Sequence, residues 1–250
     1  MRVLALDVEN RFTRIGLFDG ARVERVATVT TVGRTADEFH LLMESLLGGA
    51  VVDRAILACV VPGLTWPLRS ALERWAPGVL VVGPGIKTGL ALAVDNPREV
   101  GADRVVGAVG AVEQHGAPVM VVDFRTATTI DVVDAAGVFR GGAIAAGIEV
   151  SAEALAASAA ALRHVDIVLP PRTVGKNTVE AIQAGIVLGA AAMVDGLIGR
   201  IEEEMGLAGA PVVATGIHAR IIAGASRRID HVDEELTLLG LRLVAERNSI

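Results

Sequence analysis

An α/β fold of two related lobes is what this sequence predicts, on three observations. Short β-branched runs alternate with longer Ala/Leu-rich segments. One plan, strand, Asp, polar turn, strand, tight turn, strand, occurs twice, in LALDVENRFTRIGLFDGARV and in VMVVDFRTATTIDVVDAAGVFRGG. The 250 residues are enough for one large domain or two lobes of ordinary size with a substantial core.

Taken in order, residues 2–7 read as a strand that pairs through a turn with 14–18, and 22–31 as a third strand. Residues 35–47 have helical spacing, and Thr35-Ala36-Asp37-Glu38 is a capping arrangement at its start. A buried strand at 54–60, a helix at 66–75 and a strand at 79–82 follow. The second half opens with strands at 118–123 and 129–133 and a short third strand running toward Gly141. Helices at 150–161 and 179–205, a strand at 211–215 and a helix at 236–247 complete the pattern. A boundary near 114–118 gives lobes of residues 1–116 and 117–250. Two lobes that each open with an Asp-tipped hairpin resemble the acetate kinase, sugar kinase, Hsp70 and actin superfamily. That resemblance implies RNase H-like lobes with a nucleotide in the cleft between them.

Composition narrows the function classes. A hydrophobic fraction of 52% with 21% charged residues describes a folded globular chain, and 3% aromatics without Tyr means a core of Ala, Val, Leu and Ile. The net charge of −6 gives no reason to expect nucleic acid or an anionic membrane as a partner. A small anionic substrate therefore needs a local site. The start, MRVLALDVEN, reaches Asp7 and Glu9 before a signal-peptide core is complete. Residues 181–199, interrupted by Gln183 and Asp195, read as a buried helix rather than a membrane span. Cys59, the single cysteine, reads as a small core residue, and a cytoplasmic location is expected. The five histidines show no metal-ligand spacing, and His231 reads as a loop residue.

A series of motifs carries a sharper resemblance. Asp95-Asn96-Pro97, Val100 and Gly101-Ala102-Asp103-Arg104 spell DNPxxVGADR. Gly83-Pro84-Gly85, Lys87-Thr88-Gly89, Gly141-Gly142-Ala143-Ile144, Gly175-Lys176-Asn177-Thr178 and Asp230-His231-Val232-Asp233 through Gly240-Leu241 accompany it in order. Alone, an Asp-Arg neighbour pair is usually a surface ion pair, and Lys176 lacks the glycine spacing of a phosphate loop. Together these motifs resemble the type III pantothenate kinases. The resemblance implies transfer of the γ-phosphoryl of ATP, with Mg, to the primary hydroxyl of pantothenate, the first committed step toward coenzyme A.

The same resemblance assigns roles. Asp103 is the proton acceptor, and Gly101, Ala102, Asp103, Arg104 and Thr178 bind pantothenate. Asp7, Asn10, Thr13, Thr126 and Gly216 fall on the nucleotide side, and Asp123 matches the ligand of a monovalent cation, potassium or ammonium. A homodimer is implied, or a hetero-oligomer with a paralogue.

The nucleotide loops depart from the family pattern. Where the first hairpin should read Asp-x-Gly-Asn-Thr-x-Thr, this chain has Glu9 for the glycine and Arg11 for the first threonine. Arg125 replaces the glycine of Asp-Phe-Gly-Thr-Ala, and Ile217 the second glycine of Ala-Thr-Gly-Gly. Glycine permits positive φ and lets backbone N–H groups approach an anion. Glu9 brings bulk and negative charge instead, and the two hairpins are expected to pair Glu9 with Arg125 across the phosphate site. Ala146, where the family often has Pro, and Val94, where many members have Tyr, are milder changes. Two functions follow: a pantothenate kinase with an unusual nucleotide site, or a catalytically impaired paralogue that binds pantothenate or a partner subunit.

Overall fold

The computed structural model describes residues 1–159, 162 and 164–248. The chain packs as two compact units, Met1–Leu90 with Asp95–Gly110 and Leu236–Ile250, and Ala91–Val94 with Ala111–Glu235. A single cut after residue 116 would give the C-terminal helix to the second unit, whereas packing groups it with the first.

The first unit holds a five-stranded sheet of β1 (Arg2–Val8), β2 (Phe12–Asp19), β3 (Arg22–Thr30), β4 (Arg54–Cys59) and β5 (Val79–Val81), in the order β3-β2-β1-β4-β5. β1 runs antiparallel to β2 and parallel to β4. Successive side chains of a strand face opposite sides, so β1 divides into two sets. Leu4, Leu6 and Val8 pack on Phe39, Met43 and Leu47 of α1 (Ala36–Leu47) and on Leu64, Leu68 and Leu72 of α2 (Pro62–Leu72). Val3 and Ala5 belong to a separate cluster on the other side. Burial on both faces is why residues 3–6 of this strand read as a continuous apolar run.

α1 carries the expected capping box: Thr35 Oγ1 accepts from Glu38 N, and Thr35 N donates to the Glu38 carboxylate at 2.7 Å. α2 starts at Pro62, four residues before the sequence places it, because proline suits a helix's first turn, where its missing N–H costs nothing. A helix the sequence does not announce, α3, spans Ala102–His115. Gly107 and Gly110 lower its intrinsic propensity.

The second unit's sheet comprises β6 (Ala91–Leu92), β7 (Val119–Phe124), β8 (Ala127–Val133), β9 (Val138–Ala146), β10 (Val212–Thr215) and β11 (His231–Val232). Their order is β11-β10-β7-β8-β9-β6. With β6 set aside, order and pairing senses match the first sheet strand for strand. Among the described residues four α-helices accompany it: α4 (Ile148–Ser158), α5 (Thr178–Gln183), α6 (Gly189–Met205) and α7 (Ala219–Ala223). The helix predicted over 150–161 thus begins earlier, and its positions 160 and 161 lie outside the described residues.

A π-helical turn, Ala184–Leu188, joins α5 to α6, giving one helix over Thr178–Met205 that is long and apolar enough to cross a membrane by length and composition alone. Its Val187, Ala191, Val194 and Ile198 are buried in the unit's own core against Met120, Val122 and Phe124. His231 lies in a strand rather than a loop, its ring stacked on His115 at 4.5 Å. Burial first, and the charge of His231 second, hold the His115 imidazole below its ordinary pKa.

The last helix, α8 (Leu236–Arg247), falls where the sequence puts it. Its Leu238, Leu241, Val244 and Ala245 cover the second face of the first sheet, packing with Val3, Ala5, Ile56, Ala58 and with Val106 and Val109 of α3.

Candidate functional site

In the first unit Asp7, near the end of β1, belongs to the strand's odd-numbered set and so shares a face with α8. Thr237, in the first turn of α8, donates its hydroxyl to Asp7 Oδ2 at 2.7 Å, with both residues wholly buried. Thr237 enters the sequence reading only as part of a motif, since its partner is 230 residues away. Thr237→Val preserves the shape but removes the donor from a buried carboxyl group. Loss of about 1–3 kcal/mol of stability is expected, read as a lower urea midpoint at unchanged slope.

The β1–β2 hairpin closes with Glu9 N donating to Phe12 O at 3.0 Å, which leaves Asn10 and Arg11 at its tip. Asn10 is exposed, whereas Thr13 is buried with its hydroxyl 2.8 Å from that of Thr31. Among the described residues only glycines have positive φ, so Glu9, Arg11 and Arg125 stand in ordinary backbone. None of these three side chains therefore stands on a strained backbone. What changes in these loops is side-chain volume and charge, and Glu9 is only 8% exposed.

The run from Asp95 to Arg104 folds as a capped turn leading into a helix. Asn96 Oδ1 accepts from Arg98 N at 3.3 Å and Asn96 Nδ2 donates to Glu99 Oε1 at 2.6 Å, closing the short turn Pro97–Glu99. Val100 and Gly101 then lead into α3, with Ala102, Asp103 and Arg104 in its first turn, all partly exposed. The Asp103 carboxylate folds back over Gly101 so closely that a Cβ at 101 would collide with Oδ1. This places a carboxylate at the positive end of the helix dipole, the favourable end for it.

In the second unit Asp123 lies on β7 with Arg125 two residues on, and the Arg125 Nε is 2.9 Å from Asp123 Oδ1. Gly216, after β10, has φ +92°, and a Cβ there would stand 2.6 Å from the same Oδ1. Asp123, Arg125 and Gly216 are thus gathered at one point. Thr126 joins them through its main chain, its carbonyl accepting from Gly147 N at 3.0 Å just ahead of α4. Ile217 is 46% exposed and contributes nothing to the core.

Thr178 belongs to a separate element. It is the first residue of α5, capped by Asn177, whose Oδ1 accepts from Glu180 N at 2.9 Å. Thr178 also lines an apolar cavity of about 280 Å³ with Leu155, Leu162, Ala181 and Ile182. One pair had no signal in the sequence: nearly buried His218 places Nε2 3.2 Å from Glu149 Oε1 in the first turn of α4.

Comparison with known proteins gives these positions a context. The family model for type III pantothenate kinases matches residues 3–200. The type III pantothenate kinase of Streptomyces griseus is 45% identical over 263 residues, with 98% of each chain covered. That of Anaeromyxobacter sp. strain K is 48% identical over 254 residues, covering 98% of this chain and 99% of its own. The crystal structure of a ROK hexokinase from Thermus thermophilus covers 99% of both chains with a TM-score of 0.55 at 17% identity, a likeness of fold alone. The α/β fold with its two sheets thus resembles that of the hexokinase, and the chain belongs to the type III pantothenate kinase family.

Proposed function

We propose that this chain phosphorylates the primary hydroxyl of pantothenate with ATP, at a nucleotide site that holds ATP less tightly than the family pattern would. The observation that carries the reading is the intact DNPxxVGADR run, folded so that Asp103 and Arg104 stand partly exposed in one helical turn. Asp103 takes the hydroxyl proton as the new oxygen–phosphorus bond forms and the bond between γ-phosphorus and the leaving ADP oxygen breaks. Arg104 presents a planar fork to the pantothenate carboxylate, with Gly101 and Ala102 beside it and Thr178 as a further hydroxyl contact.

On the nucleotide side the residues fit in part. Asn10, Thr13, Thr126 and Gly216 are the expected contacts, and Mg, when bound near Asp7, would offset the phosphate charge. Glu9 does not fit: it is a nearly buried carboxylate where a triphosphate is to be received. That observation favours a second reading, a paralogue that binds pantothenate or a partner subunit without turnover. The matched strand order of the two sheets supports a duplication of RNase H-like lobes, and a cytoplasmic homodimer is part of the same proposal.

Mass spectrometry for phosphopantothenate, after long incubation with millimolar ATP and magnesium, separates the two. Product from the unmodified chain is expected. Its absence, in protein that a pantothenate titration shows to bind, would leave the non-catalytic reading.

A further inference from the structure

We infer that Arg125 is a built-in cation for Asp123, so that this chain takes no monovalent metal ion at that carboxylate. The inference deepens the family reading, since it rests on Asp123 as the family's cation-binding position, but it does not depend on turnover.

The Arg125 Nε stands 2.9 Å from Asp123 Oδ1, with the two side chains only 7% and 13% exposed. Their spacing makes this contact natural. Arg125 stands in the bend directly after β7, and its N is held to Ala127 O at 3.0 Å as the hairpin turns into β8. The main chain there has little freedom. Gly147 lies so close to the carbonyls of Arg125 and Thr126 that it leaves no room for a Cβ. Gly216 closes the other side of Oδ1, again with no space for a side chain.

The residues present therefore do not fit a monovalent ion on this oxygen. An ion would have to displace a guanidinium that is tethered two residues away. A tethered group competes at an effective concentration of roughly millimolar or more and never dissociates from the molecule. Where the family pattern has glycine at this position, no such competitor exists. The guanidinium stays charged at every working pH, so it supplies the balancing charge permanently.

The test needs no catalysis. Thermal unfolding is measured in choline chloride and with choline replaced by potassium at constant ionic strength, for the unmodified chain, Arg125→Gly and Arg125→Lys. The unmodified chain and Arg125→Lys are expected to show no potassium-specific change. Arg125→Gly is expected to gain a saturable rise of about 3–6 °C at tenfold excess over Kd.

A saturable, potassium-specific rise in the unmodified chain would overturn the inference. So would an Arg125→Gly chain that folds but ignores potassium, because Asp123 would then not be a cation carboxylate. Should Arg125→Gly fail to fold, equilibrium dialysis of the unmodified chain against rubidium decides. No retention at millimolar rubidium is expected, and one ion held per chain overturns it. Phosphopantothenate formed only with potassium would sink the inference and leave the kinase reading standing. Absence of product in any salt, with a flat curve for the unmodified chain and a saturable rise in Arg125→Gly, would do the reverse.

Discussion

Asp103→Asn is expected to lower the rate of phosphopantothenate formation about 10²–10⁴-fold, the range that a positioned proton acceptor contributes. The amide is the same size as the carboxylate and can lie over Gly101 as Asp103 does. What it cannot do is accept the hydroxyl proton. The loss should therefore fall on kcat, with KM for pantothenate little changed and the thermal midpoint close to that of the unmodified chain. Arg104→Ala should do the opposite, raising KM through loss of a forked contact made in ground and transition states alike. A normal kcat in Asp103→Asn would show that the proton leaves by another route and would remove the central role from the signature.

Glu9→Gly is expected to raise kcat/KM for ATP at least about fivefold, and more in combination with Ile217→Gly. Like unit charges about 4 Å apart repel by about 4 kcal/mol at an effective dielectric near 20. Even a quarter of that energy corresponds to about fivefold in rate. Position 9 has no left-handed backbone for glycine to relieve, so any gain must come from the removed carboxylate and its volume. Adding Arg125→Gly exposes the bare Asp123 carboxylate, so that variant should be assayed in choline and in potassium separately. If Glu9→Gly leaves kcat/KM for ATP unchanged, the carboxylate does not face the phosphates and the weakened-nucleotide reading fails.

Much of the fold could be read from local pattern. The strands that carry Asp7 and Asp123 announce themselves as short apolar runs, and the Thr35–Glu38 box and the span of α8 are local facts as well. Elements whose stability is borrowed from elsewhere were not legible. α3 carries two glycines, and β11 is two residues long and exists as a strand because β10 is beside it. The partner of Asp7 could not be found by inspection, because Thr237 is brought to it by the packing of α8 on the first sheet. The Asp123–Arg125 pair is different. It forms in the bend that follows β7, a local contact that went unread because Arg125 was expected to meet Glu9 instead. The positive-φ argument for the lost glycines has no counterpart at positions 9 and 125, where the chain follows ordinary paths.

The way α8 completes the first sheet bears on how the molecule is made. During synthesis Val3, Ala5, Ile56 and Ala58 emerge early, yet the leucines that cover them come only at 238 and 241. Residues 111–235 must be translated in between, on the order of 6–25 s at 5–20 residues per second. The half of the molecule that leaves the ribosome first can bury the face under α1 and α2 at once, but must wait for the end of synthesis to cover the other. For that interval one face of its sheet is a sticky, incomplete surface that a chaperone would have reason to shelter.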